Sequence, residues 1–232
     1  AADHIFAVSE YTKSEILKYY KLPSNKISVL YNTVNEHFTS DAAANCSDIF
    51  REIVDRFGDY ILSVSNFKPH KNIKNLLIAF AKLRNKTRWN LVLAGPMNRW
   101  SLEISRYAAD CGLSDRVKFI TPADNRELAY LYKTAKLYCH PSLHEGFGLP
   151  IIESQSCGCP VVSSDRTSLP EICGGSALFF NPDSPTDIAD KIEALINNEN
   201  LRYSLILKSA DNVKRFAPAA VYKNLFEIFA KL

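Results

Sequence analysis

From Tyr60 onward, short apolar runs alternate with stretches of helical period, and few architectures accept that order. Tyr60–Val64, Leu91–Ala94, Val117–Ile120, Leu137–His140, Val161–Ser163 and Ala177–Phe180 have the length and apolar character of buried strands. Between them, Ile73, Leu76, Leu77, Phe80 and Leu83 repeat on one helical face. Further helices are expected over 101–112, 124–135 (opened by Asp124-x-x-Glu127), 150–157, 169–173, 185–197, 201–216 and 219–232. Strands separated by helices pair in parallel, and right-handed crossovers place helices on both faces. The expected class is α/β with a doubly wound parallel sheet. Upstream, Ile5–Val8 and Ile27–Leu30 read as strands around a helix that reaches Tyr20. That helix is capped by Ser9 or by Thr12, the latter with capping-box spacing to Glu15. Residues 41–45 are small and polar enough to be a linker, followed by a helix over 48–57.

Composition removes several classes of function. At 47% hydrophobic and 23% charged, the 232-residue chain is globular, and no segment approaches a membrane span. A net charge of +3, dispersed along the chain, argues against nucleic acid as a partner. Six cysteines without a secretory leader read as reduced thiols and a cytoplasmic location. Cys157-Gly158-Cys159 is too tight for a zinc knuckle and reads as a helix end. The chain opens on Ala1-Ala2-Asp3-His4 and leads straight into a strand, as a fragment would.

The chemistry concentrates in Leu143-His144-Glu145-Gly146-Phe147-Gly148-Leu149-Pro150-Ile151-Ile152-Glu153. Pro150 suits the first turn of a helix, so Gly146 to Leu149 form a bend whose free amides and positive dipole end favour phosphate. Glu145 lies on the bend and Glu153 about one turn into the helix. Two carboxylates would repel a phosphate unless they accept hydrogen bonds from hydroxyls while the amides hold the anion. A sugar–diphosphate–nucleoside meets that requirement. A plain βα turn with two solvated glutamates is an equal reading on spacing alone. Dinucleotide binding ranks lower, because Ile151 stands at the third glycine position of G-x-G-x-x-G.

In a doubly wound sheet, ligands sit beyond the carboxyl ends of the strands. Ser65, Asn66, His70 and Lys71 trail one strand, Gly95-Pro96 through Asn98 the next, Thr121-Pro122 a third, and Glu145–Glu153 a fourth. A diphosphate carries about two negative charges and a helix start offsets about half of one, so a cation is needed. Lys71 is the candidate, against the alternative of a surface lysine. Asn98 and Arg99 read as loop polars, and His140 as partly buried at a strand end.

These residues resemble a known family. Glu145-Gly-Phe-Gly-Leu-Pro-Ile-Ile-Glu153 resembles the paired-glutamate signature of the retaining glycosyltransferases of family 4. Ser163-Ser164-Asp165, Leu169-Pro170-Glu171 and Asn181-Pro182 resemble its later blocks, and Asn66 through Asn72 its phosphate loop. The resemblance covers nearly the whole chain. It implies the carboxyl-terminal, Rossmann-like half of a GT-B enzyme. Residues 1–40 would be the last βαβ of the amino-terminal domain and the interdomain link. Residues 41–216 would form the nucleotide-sugar-binding domain, and 217–232 a terminal helix crossing back. It further implies Glu145 on the transferred sugar, Lys71 on the leaving phosphate and Glu153 on the ribose. Main-chain amides of Gly146, Phe147, Gly148 and Leu149 would serve the diphosphate or sugar. Ser65, Asn66, Gly95, Pro96 and Thr121 would line the rest of the nucleotide site. Asn66 and His70 stand where the family often carries arginine, which leaves the diphosphate contacts open.

The expected function is transfer of a hexose, with a lean to mannose from GDP-mannose, onto a glycan or lipid-linked acceptor. Configuration would be retained and no metal used, since no Asp-x-Asp is present. Peripheral contact with the inner face of a membrane would come through the amino-terminal domain. The alternatives are a nucleotide-sugar-binding module without transfer and an epimerase-like enzyme.

Overall fold

A computed structural model describes residues 2–38, 46–122 and 124–231. Two sheets are present among them. β1 (Ile5–Ala7) and β2 (Ile27–Val29) pair in parallel, Ile5 opposite Ile27, with α1 (Glu10–Tyr19) as their crossover. The larger sheet holds β3 (Tyr60–Val64), β4 (Asn90–Ala94), β5 (Val117–Ile120), β6 (Leu137–His140), β7 (Val161–Ser164) and β8 (Ala177–Phe180), all parallel. Its order is β5-β4-β3-β6-β7-β8, so the winding reverses between β3 and β6. That reversal opens a crevice at the carboxyl ends of those two strands.

Strand residues alternate between two cores, as the period of two requires. Tyr60, Leu62, Val92, Tyr138 and Val161 enter one core with α2 (Asp48–Asp55), α5 (Asn125–Thr134), α6 (Leu149–Ser156) and α7 (Leu169–Cys173). Ile61, Leu91, Leu93, Leu137 and Val162 enter the other with α3 (Ile73–Leu83), α4 (Arg99–Asp110), α8 (Pro185–Asn197) and α9 (Glu199–Asn212). Burial on both faces explains why these strands read as continuous apolar runs. At about 25 cal/mol per Å² of apolar surface, such double-sided burial is the main stabilising contribution.

The helix starts carry most of the differences from the sequence reading. Ser9, not Thr12, caps α1, its hydroxyl accepting from the Thr12 amide, so the Thr12-x-x-Glu15 box does not form. Asn98 is no idle loop polar. It caps α4 in a capping box with Ser101, and the helix begins two residues before the expected start. Asp124 caps α5 through the Arg126 and Glu127 amides. α9 ends at Asn212 and tightens into a 3₁₀ turn, Val213–Phe216, before α10 (Pro218–Phe229). α10 lies against the small sheet, with Asn224 donating to the Val29 carbonyl and Phe229 packed on Phe6. The expected boundary at residues 40 and 41 lies outside the described residues. No helix among them is long and apolar enough to cross a membrane.

Candidate active site

The loop leaving β3 brings a cation to the crevice. After Val64 the chain turns through Phe67, in the left-handed region, and a 3₁₀ turn at Pro69–Lys71. Asn72 then takes φ 57°, a conformation asparagine tolerates better than most side chains. Its buried amide donates to the carbonyls of Pro141 and Pro182 at 3.1 and 2.8 Å, tying this loop to those leaving β6 and β8. The Leu143 amide donates to the His70 carbonyl across the same gap. So braced, Lys71 Nζ sits 2.5 Å from Glu145 Oε1, the two side chains only 17% and 14% exposed.

A second donor reaches the same oxygen. His140, last residue of β6 and buried, places Nε2 3.3 Å from Glu145 Oε1, while its Nδ1 meets the Tyr138 hydroxyl at 2.7 Å. Burial pushes the Glu145 carboxyl upward. The His140 hydrogen bond and charge, followed by Lys71, outweigh it and hold the acid at about 2. Glu145 is therefore a fixed anion.

The bend after Glu145 is held from three directions. Its own amide donates to Thr167 Oγ1, and Ser168 Oγ donates to the carbonyls of Glu145 and Phe147. The Gly146 carbonyl accepts from Ser9 Oγ at 2.7 Å and Thr12 Oγ1 at 3.0 Å, both from the amino-terminal piece. Gly148 has φ 106°, and a Cβ there would press on Leu169, which leaves glycine as the residue that makes the turn. Among the described residues, the amides of Gly146, Phe147, Gly148 and Leu149 meet no acceptor. They stand at the start of α6, where the helix dipole adds partial positive charge.

Glu153 lies about one turn into α6, as expected. Because α6 begins at Leu149, Glu153 is its fifth residue, at the start of the second turn. It accepts from the Tyr132 hydroxyl of α5 at 3.1 Å. Burial raises its acid to about 7, and that hydrogen bond only partly offsets the rise. Burial, then Glu153, then Glu145 push the Tyr138 phenol well above its ordinary value, so both carboxylates lie within electrostatic reach of one hydroxyl.

The remaining expected residues form a separate run along β3, β4 and β5. Ser65 and Asn66 are engaged locally, their side chains accepting from the Phe67 and Lys68 amides, and the Asn66 carbonyl accepts from Asn98. Gly95 lies against the Ser65 carbonyl so closely that any Cβ would collide with it. Thr121 Oγ1 donates to the Gly95 carbonyl at 2.8 Å, and Pro96 is exposed. The carboxyl ends of the strands thus bring all of them to one rim, and among the described residues the expected side chains that hydrogen-bond to Glu145 on the bend are Lys71 and His140. Among the described residues no group of three His, Cys, Asp or Glu side chains forms a metal site.

Fold and site together define a Rossmann-like domain with an anion-ready helix start beside a half-buried carboxylate–ammonium pair. The family model for glycosyl transferases group 1 matches residues 50–211, and the chain belongs to that family. It is 29% identical to the O-antigen chain mannosyltransferase B of Escherichia coli, over 94% of this chain and 58% of that protein. It is 32% identical to the serotype-specific mannosyltransferase WbdA of E. coli, over 100% of this chain and 29% of that protein. The chain thus spans between about a quarter and three fifths of the curated relatives it matches. Among solved structures, a glycosyltransferase from Rickettsia africae superimposes with a TM-score of 0.86 at 19% identity, over 99% of this chain and 63% of that one. Anabaena Alr3699/HepE, in complex with UDP and glucose, gives 0.86 at 20% identity, over 100% and 64%. At these identities the likeness concerns the fold.

Proposed function

We propose that this chain is the donor-binding part of a retaining hexosyltransferase that moves mannose from GDP-mannose to a glycan or lipid-linked acceptor. The observation that carries the reading is the Lys71–Glu145–His140 cluster beside the unpartnered amides at the start of α6. A diphosphate seated on those amides takes Lys71 as its countercharge, a charge-assisted contact. Glu145, already ionised, accepts from hydroxyls of the hexose, and Glu153 accepts from the ribose. As the bond from the anomeric carbon to the diphosphate breaks, the sugar gains positive charge and the leaving group negative charge. Glu145 stabilises the first, and Lys71 with the helix dipole the second. The names of the relatives support mannose, and the O-antigen relatives support a glycan acceptor. We place the enzyme in the cytoplasm, at the membrane face where a lipid-linked acceptor would lie.

The cation in this scheme is Lys71, so transfer proceeds without a metal. Calorimetry on this chain with GDP-mannose, GDP, UDP-glucose and UDP tests donor binding. Product formation by the full-length enzyme, with and without EDTA, tests the chemistry. Tight GDP-mannose binding with no transfer to any glycan would favour a binding module. Lost activity restored only by manganese or magnesium would overturn the metal-free scheme.

A further inference from the structure

Both cationic or donor groups around Glu145 converge on one of its two oxygens. Lys71 Nζ lies 2.5 Å and His140 Nε2 3.3 Å from Oε1, while Oε2 has no hydrogen-bond partner among the described residues. The two donors differ in freedom. Lys71 sits on a flexible four-carbon stem in a loop. His140 is the buried end of β6, its neighbour residues registered against β7 with His140 opposite Ser163. Its ring is fixed on the other side by the Tyr138 hydroxyl at 2.7 Å, and Tyr138 is itself fully buried and packed against Tyr132.

We infer that His140 is a positioning residue: oriented by Tyr138, it keeps Glu145 Oε1 engaged and Oε2 turned to the donor sugar after Lys71 has moved to the diphosphate. This rests on the assignment of Glu145 to the sugar and Lys71 to the phosphate. Lys71 cannot fully serve both partners, because one ammonium that shifts toward a doubly charged anion loosens its hold on a single carboxylate. Without a second donor, Glu145 would lose its only anchored oxygen at the moment the sugar arrives. With its proton on Nε2, which both the charged ring and one neutral tautomer carry, His140 donates to Glu145 while Nδ1 stays engaged by the Tyr138 hydroxyl. The chain Tyr138–His140–Glu145 then acts on the sugar through Glu145 alone.

The test is a set of calorimetric titrations with GDP and GDP-mannose, and the readout is the ratio of the two affinities, which isolates the sugar. His140→Ala should lower GDP-mannose affinity about tenfold, the worth of one hydrogen bond to a charged group, and leave GDP affinity unchanged. His140→Gln, which keeps a donor toward Glu145, should recover most of the loss. Tyr138→Phe should give a smaller loss of the same kind, and covers the case in which His140→Ala fails to fold. In a Glu145→Ala background, His140→Ala should have no further effect on the ratio. An equal loss for GDP and GDP-mannose, or additive losses in the double variant, would overturn the inference while leaving Glu145 on the sugar. A Glu145→Ala ratio equal to that of the unmodified chain, or no binding of either ligand, would overturn the underlying assignment and this inference with it.

Discussion

Glu153 offers the sharpest test, because its burial has a sign that pH can read. Its acid stands at about 7 in the folded chain against 4.5 for a free glutamate. A raised carboxyl is one whose ionised form the fold disfavours, so between these values the folded chain holds a proton that the unfolded chain has released. Stability must therefore fall as pH rises from about 4.5 to 7, then level off. The rise from 4.5 to about 7, at about 1.4 kcal/mol for each pH unit, sets the penalty at no more than about 3.5 kcal/mol above pH 7. Glu153→Gln removes the charge and keeps an acceptor for the Tyr132 hydroxyl. Relative to the unmodified chain it should be neutral near pH 4 and more stable by about 2–3 kcal/mol at pH 8. In a chain this long that is a Tm gain of about 5–10 °C. The same substitution should weaken GDP-mannose and GDP alike. The unmodified chain should bind GDP-mannose about tenfold more weakly at pH 6 than at pH 8, because hydroxyl donors require the ionised form. Both phosphates of a nucleotide-sugar are diesters and do not titrate in that window. Thermal melting of both proteins from pH 4 to 8 decides the matter. Parallel curves would refute the burial of Glu153, and pH-independent binding would remove it from the ribose.

Lys71→Ala should weaken GDP by about 1.5–3 kcal/mol while sparing guanosine, as calorimetry would show; equal losses would place the lysine outside the phosphate site. Glu145→Gln should leave GDP affinity within a factor of a few but lower turnover of the full-length enzyme about 10²-fold or more, measured as product formation. Asn72→Ala orphans the Pro141 carbonyl, while the Pro182 carbonyl keeps its bond from Asn75, and should cost about 1–3 kcal/mol in denaturant unfolding, with weaker binding of every nucleotide because three loops lose their common tie.

The strands and most helices were readable because their signals are local: apolar runs between glycine, proline and short polar side chains, with Ser184-Pro185 opening α8 as a cap and first-turn proline should. Errors fell where two local signals competed. Ser9 and Thr12 both offer a hydroxyl, and Ser9 is the one whose extended backbone and bond from the Thr12 amide make it the cap, with both hydroxyls then donating to the distant Gly146 carbonyl. α6 starts one residue before the expected position because glycine at 148 accepts a φ that no propensity scale anticipates, a shift too small to change where Glu153 lies. Lys71 and Glu145 are each legible as site residues, but their contact across 74 positions has no sequence signature. His140 was read as partly buried; its bond to Tyr138, two residues away on the same strand, was the available clue. Glu153 was treated as an ordinary acid because Tyr132 and the walls that bury it belong to other elements.

The bend that offers its amides is not self-supporting. The Gly146 carbonyl is fixed by Ser9, 137 positions earlier, and by Thr12, while Glu171 caps the Glu10 and Tyr11 amides at the start of the same helix. The peptide plane that sets the Phe147 amide is thus shared property of two pieces of chain on either side of residues 39–45. A chimera that joined this sheet to a foreign partner within residues 39–45 would keep every motif residue from Lys71 to Glu153 and still lose the peg that aims the bend. Any exchange of this module between enzymes has to carry the β1–α1–β2 piece along with it.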